Sequence, residues 1–200
     1  MSTRGAYGFR VNEQDKVTYN HSDSYLESLG VSVLSFVANE STESMKKTAE
    51  RIKLVKEDKK PTEAQIKKCE SYTNLGVSKR SVDDWYCLMR NAQGELDIYA
   101  GDDGFPYMID SHDFLFDSLS CEWAYIINLD DGVLEIYKGF NSDPNADGRY
   151  ASAKGEGAMP RTDTYYGVAL IRTLSFDEIR KIDNVAQYCE QLQEEIYAAE

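Results

Sequence analysis

The chain has 200 residues, enough for one buried core, and its 35 acidic against 22 basic residues give a formal net charge of -13. A charge of that sign opposes binding to nucleic-acid phosphates or to an anionic membrane surface, so we expect neither as a partner. Because the sequence has no Pro-, Gly- or Ser-rich linker, we expect residues 1–200 to form a single domain.

The sequence has few features that would indicate a targeting segment, a membrane span or a cysteine-based site. The opening MSTRGAYGFR lacks the apolar stretch of a signal peptide, and no later segment approaches the roughly 20 apolar residues of a membrane span. We therefore expect a soluble cytoplasmic protein. Four cysteines stand far apart, and only two histidines accompany them. This spacing predicts no metal site and no cofactor, and it favours reduced, buried thiols.

The first half of the chain predicts a β-hairpin followed by helices. Residues 5–11 and 16–20 have the pattern of two short strands around the polar turn NEQD, and a helical pattern follows from Leu29. Cap residues and amphipathic periodicity predict three more helices, in ESTESMKKTAERIKLVKED, PTEAQIKKCESY and SVDDWYCLMRNAQG.

The second half, from residue 95, is rich in aromatic and β-branched residues, which predicts a sheet. The run CEWAYIINLDDGVLEIYKGF contains the hairpin turn signal Asp131-Gly132 and a strand apolar on both faces, typical of a central position. YYGVALIRTL adds another strand. From about Asp177 an apolar stripe predicts one continuous amphipathic helix, opened by a capping box at Ser175 and Glu178. The predicted fold class is α+β, with mostly antiparallel sheet covered by helices.

The stretch TYNHSDSYLESLG places many polar groups where the second predicted strand ends. In one interpretation, side chains of residues 20–25, called here the polar hexad, project into one ligand-binding pocket. In the other, Asp23 or Ser24 caps the helix that begins near Tyr25. The candidate ligand-binding residues are Asn20, His21, Asp23, Ser24 and Tyr25.

Two other motifs favour structural interpretations. SDPNADG has the alternating oxygens of half a calcium loop, but Lys154 stands where a bidentate Glu is needed, which favours an exposed turn. Cys121 would need a base such as His112 to act as a nucleophile. A cysteine that opens an apolar strand is more typical of core packing.

Four long motifs, TRGAYGF, YNHSDSYLESLG, DWYCLMRNAQG and CEWAYIINLD, resemble an uncharacterised family of bacteriophage and prophage proteins with more distant relatives in fungi. The resemblance spans most of the chain, although Leu26 stands where the family pattern usually has Pro. It implies a phage-type accessory protein that acts without catalysis by binding a host protein or a small-molecule ligand. Interference with host defence is one role of that kind.

A fainter resemblance is to the N-terminal-nucleophile hydrolases, whose first strand carries the nucleophile. It implies a four-layer αββα sandwich and, as the alternative function, an amidohydrolase. Ser2 would attack an amide with its own α-amine, of pKa about 8, as the base. Arg4, Asn20 and Asp23 would organise the oxyanion and the base. Because that amine exists only once Met1 is removed, we expect binding rather than hydrolysis.

Overall fold

The computed structural model describes residues 3–152 and 165–198, and its strands build two sheets. The strands are β1 (Gly5–Val11), β2 (Gln14–Asn20), β3 (Lys53–Val55), β4 (Tyr107–Ile109), β5 (Trp123–Asn128), β6 (Val133–Lys138) and β7 (Ala169–Ser175). The larger sheet has the order β2-β1-β5-β6-β7 and is antiparallel except between β1 and β5. β3 and β4 form a small parallel sheet.

Helices of several kinds connect these strands. The α-helices are α1 (Val31–Asn39), α2 (Thr42–Arg51), α3 (Glu63–Cys69), α4 (Trp85–Leu88), α5 (Phe176–Ile179) and α6 (Val185–Ala198). Short 3₁₀ helices occupy Glu70–Tyr72, Arg90–Ala92, Leu96–Tyr99 and His112–Phe116, and Leu26–Gly30 is a π-helical turn. The predicted α+β class and the predicted capping box before α5 are confirmed, and a second capping box, formed by Thr62 and Gln65, opens α3.

The predicted N-terminal hairpin is present. Asn12 and Glu13 have φ values of 52° and 61°, the left-handed conformation that a tight hairpin turn requires at both central positions. The carboxylate of Asp130 accepts a hydrogen bond from the backbone N–H of each over 2.8 Å. Asp130, which follows the end of β5, therefore fixes the turn of the first hairpin.

Each face of the larger sheet has its own apolar core. One face, which includes Tyr7, Phe9 and Tyr125, packs against the α-helices. The other face is covered by the turn at His112–Phe116 and by the loop that carries Tyr150. β5 is buried along its whole length, which confirms its predicted central position.

The two sheets meet edge to edge. Ser111, just after β4, donates its backbone N–H to Val17 O on β2 over 2.9 Å. A four-layer sandwich requires two sheets stacked face to face, roughly 10 Å apart, where no such backbone bond forms. The bond from Ser111 to Val17 is such an edge contact, so it differs from the stacking of a four-layer sandwich.

The predicted continuous C-terminal helix is wrong in one respect, because the chain breaks between α5 and α6. Asn184 causes the break: its Oδ1 accepts from Gln187 N over 3.1 Å and its carbonyl accepts from Tyr188 N. A side chain that caps a new helix competes with continuation of the previous one. Ile182 lies half-buried in the break, whereas Leu192 on α6 is 3% exposed.

Within the two described ranges, no helix has both the length and the apolar character needed to cross a membrane.

Candidate functional site

The polar hexad lies beside a cleft of about 210 Å³ between the end of β2 and the segment that follows α4. The backbone N–H of Ser24 donates to Thr3 O over 3.2 Å, so the hexad also packs against the chain just before β1. The polar residues that line the cleft come from two segments distant in sequence: Asn20, Ser22, Asp23, Ser28 and Ser32 from one, and Arg90, Gln93 and Glu95 from the other.

Asn20 lines this cleft, and its side chain is held by hydrogen bonds within the hexad. The amide of Asn20 donates to Ser24 Oγ over 2.8 Å and to Ser22 O over 2.6 Å. Ser24 is fully buried, and its carbonyl accepts from the phenol of Tyr125 over 2.9 Å. These hydrogen bonds therefore fix the backbone of the hexad. Of the two side chains, that of Asn20 lines the cleft and that of Ser24 does not.

Asp23 is the exposed charge of the hexad. Its φ of 55° is left-handed, and its carbonyl accepts from Leu29 N over 3.2 Å. The helical turn starts after Tyr25, and no side chain caps it. The alternative interpretation, in which Asp23 or Ser24 is a helix cap, is therefore wrong, and the Asp23 carboxylate lines the cleft.

His21 and Tyr25 do not line the cleft. Side chains alternate along a strand, so His21 continues the face of Tyr19, opposite to Asn20. His21 Nδ1 lies 3.2 Å from the phenol oxygens of both Tyr19 and Tyr86. Tyr25 packs against the helix-covered core. The strand thus divides the predicted ligand-binding set between two faces.

Sequence reasoning missed the cleft residues Arg90, Glu95 and, most informative of the three, Gln93. Its Oε1 is buried and has no hydrogen-bond donor among the residues the structure describes. A space of about 10 Å³ between Gln93, Tyr7 and Tyr99 adjoins it. Most buried polar atoms are satisfied, so an orphan acceptor beside a polar cleft calls for a donor from outside the described residues.

The position of Gln93 depends on the residues beside it. Tyr7 donates its phenol proton to Ala92 O over 3.2 Å, and Gly94 N donates to the same phenol over 3.1 Å. Gly94 has a φ of 82°, and a Cβ there would lie 3.2 Å from Asn20 Oδ1. A glycine at this position therefore allows the segment to approach β2 closely.

The residues predicted for hydrolysis are not all gathered at the cleft. Ser2 lies outside the described residues. The register Gly5↔Asn20 places Arg4 beside His21, on the face opposite to Asn20 and Asp23. The backbone N–H of Arg4 donates to Glu122 Oε1 over 3.3 Å.

Cys121 and His112, the other candidate nucleophile and base, do not meet. Burial raises the pKa of the Cys121 thiol far above its ordinary value, and its Sγ donates to Trp123 O over 3.5 Å. The imidazole of His112 instead faces Asp15, with Nε2 and Oδ2 3.5 Å apart. Cys121 is therefore a core residue, as its sequence context indicates.

A second polar cluster, without a sequence signature, lies on the sheet face opposite the helices. Arg149 contacts Glu135 Oε2 over 2.6 Å, and Tyr150 donates to Asp15 Oδ2 over 2.8 Å. His112 joins this cluster through its contact with the carboxylate of Asp15. Since these groups satisfy one another, the cluster ties the loop around Tyr150 to β2 and β6.

The calcium-like motif forms a turn of its own. Asp143 Oδ1 accepts from Asn145 N over 2.8 Å, the geometry of an Asx turn, and both residues are exposed. Among the described residues, no group of three or more His, Cys, Asp or Glu side chains is arranged to hold a metal ion.

Comparison with known proteins gives no relative. No family model, curated protein or solved structure matches this chain. The site is therefore interpreted from its own chemistry.

Proposed function

We propose that this is a non-catalytic binding protein whose cleft beside the polar hexad takes a small polar ligand or a polar side chain of a host protein. The observation that carries the proposal is the buried Gln93 Oε1, which has no donor among the described residues. A ligand that carries an N–H or O–H group would supply that donor and remove an energetic penalty of about 1–3 kcal/mol.

The cleft also restricts what can enter. Its volume of about 210 Å³ is below the roughly 300–1,000 Å³ of pockets for drug-sized molecules. Asp23 and Glu95 place two carboxylates on its lining against the single guanidinium of Arg90. We therefore expect a compact ligand rich in hydrogen-bond donors, and the net charge of -13 favours a neutral or basic one.

The wider role proposed is that of a phage-type accessory protein, with interference in host defence as one form of it. Its support is the resemblance of the four sequence motifs, which span most of the chain. A binding function fits such a role because sequestering a host ligand or occupying a host protein needs no chemistry.

A thermal-shift screen of small amines, amides and hydroxylated metabolites tests the proposal. A ligand present at about 100 times its Kd stabilises the folded protein by about 2.7 kcal/mol, which raises the Tm by roughly 5–10 °C for a chain of this size. The test variant is Gln93→Met, which keeps the shape of the side chain and removes the acceptor. Its Tm without ligand should equal or exceed that of the wild type, because an unsatisfied buried oxygen is gone.

The ligand-induced shift should disappear in Gln93→Met and persist in the control Gln187→Met, which alters an exposed glutamine on α6. The proposal is wrong if no compound stabilises the wild type. It is also wrong if Gln93→Met responds to the ligand as the wild type does.

Hydrolysis through Ser2 stays the alternative proposal. The observation in its favour is the bond from Ser24 N to Thr3 O, which keeps the chain next to Ser2 at the hexad. An amidohydrolase would lose all turnover in Ser2→Ala, whereas a binding protein would be unaffected.

A further inference from the structure

Two half-buried arginines lie near the end of β2. The side chains of Arg4 and Arg90 have neither an ion pair nor a hydrogen bond to any residue that the structure describes. The backbone of Arg4 does contact Glu122, but through its N–H. Partly buried charges are usually paired, and acidic residues outnumber basic ones in this chain, so these two positions are unusual.

Other partly buried arginines of the described chain do have partners. Arg10 pairs with Asp15 over 3.1 Å, and Arg149 pairs with Glu135. Arg51 donates to the carbonyl of Tyr99 over 2.6 Å. The absence of such a partner at Arg4 and Arg90 is therefore a local property of this surface.

Arg4 and Arg90 both lie near the end of β2 that carries Tyr19. Arg4 and Tyr19 lie on the same face of the sheet, because Ala6 pairs with Tyr19 and side chains alternate. Burial is the main cause of the raised pKa of Tyr19, and the charges of Arg4 and Arg90 both act against it. Arg90 follows Tyr86, whose phenol oxygen lies 3.2 Å from His21 Nδ1, so both arginines border the aromatic side chains at the end of β2.

A cluster of half-buried rings adjoins these charges. Tyr19 packs edge to face on Phe114 with ring centroids 5.1 Å apart, and on His21 at 6.1 Å. Tyr86 lies 6.4 Å from His21 and completes the cluster. Rings that remain partly exposed offer apolar faces and edges on which a flat ligand can rest.

We propose that Arg4 and Arg90 bind the acidic group of a small organic anion whose flat ring packs on Tyr19, His21, Tyr86 and Phe114. The acidic group is a phosphate or a carboxylate, since guanidinium forms paired hydrogen bonds with either. This site is separate from the proposed contact at Gln93, although Arg90 borders both. It does not depend on that contact.

Calorimetric titration of the full-length protein at low ionic strength tests the inference with three probes: phenyl phosphate, phenylacetate and inorganic phosphate. We expect at least one aromatic probe to bind with a Kd of about 1 mM or tighter, at least tenfold tighter than inorganic phosphate. The tighter of the two aromatic probes identifies the acidic group as phosphate or carboxylate.

Arg4→Gln and, separately, Arg90→Gln should each weaken binding of that probe at least tenfold. Tyr86→Leu should lower the preference for the aromatic probe over inorganic phosphate. The control Arg80→Gln removes the same charge from an exposed position and should change nothing. The inference fails if no probe binds, if inorganic phosphate binds as tightly as both aromatic probes, or if Arg80→Gln weakens binding as much as Arg4→Gln.

Discussion

Asn20 Nδ2 lies 2.8 Å from Ser24 Oγ, and this buried bond closes the backbone of the polar hexad. Replacement of Asn20 by Ala leaves the Ser24 hydroxyl without its donor, so we expect a loss of about 1–3 kcal/mol in the free energy of unfolding. Urea denaturation measures it. An unchanged midpoint would mean that the hexad is held by other contacts.

Replacement of Asp23 should change the free energy of unfolding less than replacement of Asn20. Its carboxylate is exposed and its left-handed φ of 55° suits Asn as well as Asp. Asp23→Asn should therefore change the free energy of unfolding by no more than about 0.5 kcal/mol while altering ligand binding at the cleft. Asp23→Ala is a poorer test, because Ala is strained in this conformation.

Stability should depend on pH through Asp15 and His112. Burial alone would raise the pKa of Asp15, but hydrogen bonds from His112 and Tyr150 and the charge of Arg149 outweigh it and lower the pKa to about 2. Because the unfolded carboxyl binds protons more tightly, stability should fall as the pH drops from about 4 to about 2.

His112 contributes a pH dependence of stability with the opposite sign. Its hydrogen bond to Asp15 is the main cause of its raised pKa. The stabilisation from protonated His112 is complete below its unfolded pKa of about 6.5 and is lost as the pH rises through the folded value. Thermal denaturation across pH should show both losses in the wild type, no loss on the alkaline side in His112→Gln, and smaller losses on both sides in Asp15→Asn. An Asp15→Asn profile that matches the wild type would contradict this assignment.

The C-terminal helix α6 should be structural. Leu192 is 3% exposed, and the neighbouring Gln193 accepts from Leu26 N over 3.0 Å, which supports the turn after the hexad. We expect Leu192→Ala to cost about 2–5 kcal/mol in the free energy of unfolding. Ile182→Ala, in the half-buried break before α6, should cost clearly less. Equal midpoints for the two variants in urea would show that α6 is peripheral.

Local patterns were sufficient to predict much of the fold. The hairpin, the capping boxes at Thr62 and Ser175 and the buried strand β5 depend on neighbouring residues, which is why periodicity and cap chemistry identify them. The break at Asn184 was missed because a mid-helix Asn reveals its capping role only once its side chain is placed.

The site was harder to predict because its parts are far apart in sequence. Of the predicted ligand-binding residues, Asn20 and Asp23 line the cleft, but strand alternation sends His21 to the other face. Gln93 reaches the cleft only through the contact of Tyr7 with Ala92, 85 positions away. No local pattern encodes that contact. No local pattern predicts the burial of Lys16 either, whose ammonium donates to Ala49 O over 2.7 Å at the end of α2.

The central claim is that the protein binds at the cleft and does not hydrolyse its ligand. The most direct measurement is calorimetric titration of wild type, Gln93→Met and Ser2→Ala with a compound from the screen, followed by mass spectrometry of the recovered compound. We predict equal Kd values for wild type and Ser2→Ala, at least tenfold weaker binding by Gln93→Met, and an unchanged compound. A compound that the wild type cleaves and Ser2→Ala leaves intact would contradict the claim and establish the hydrolase.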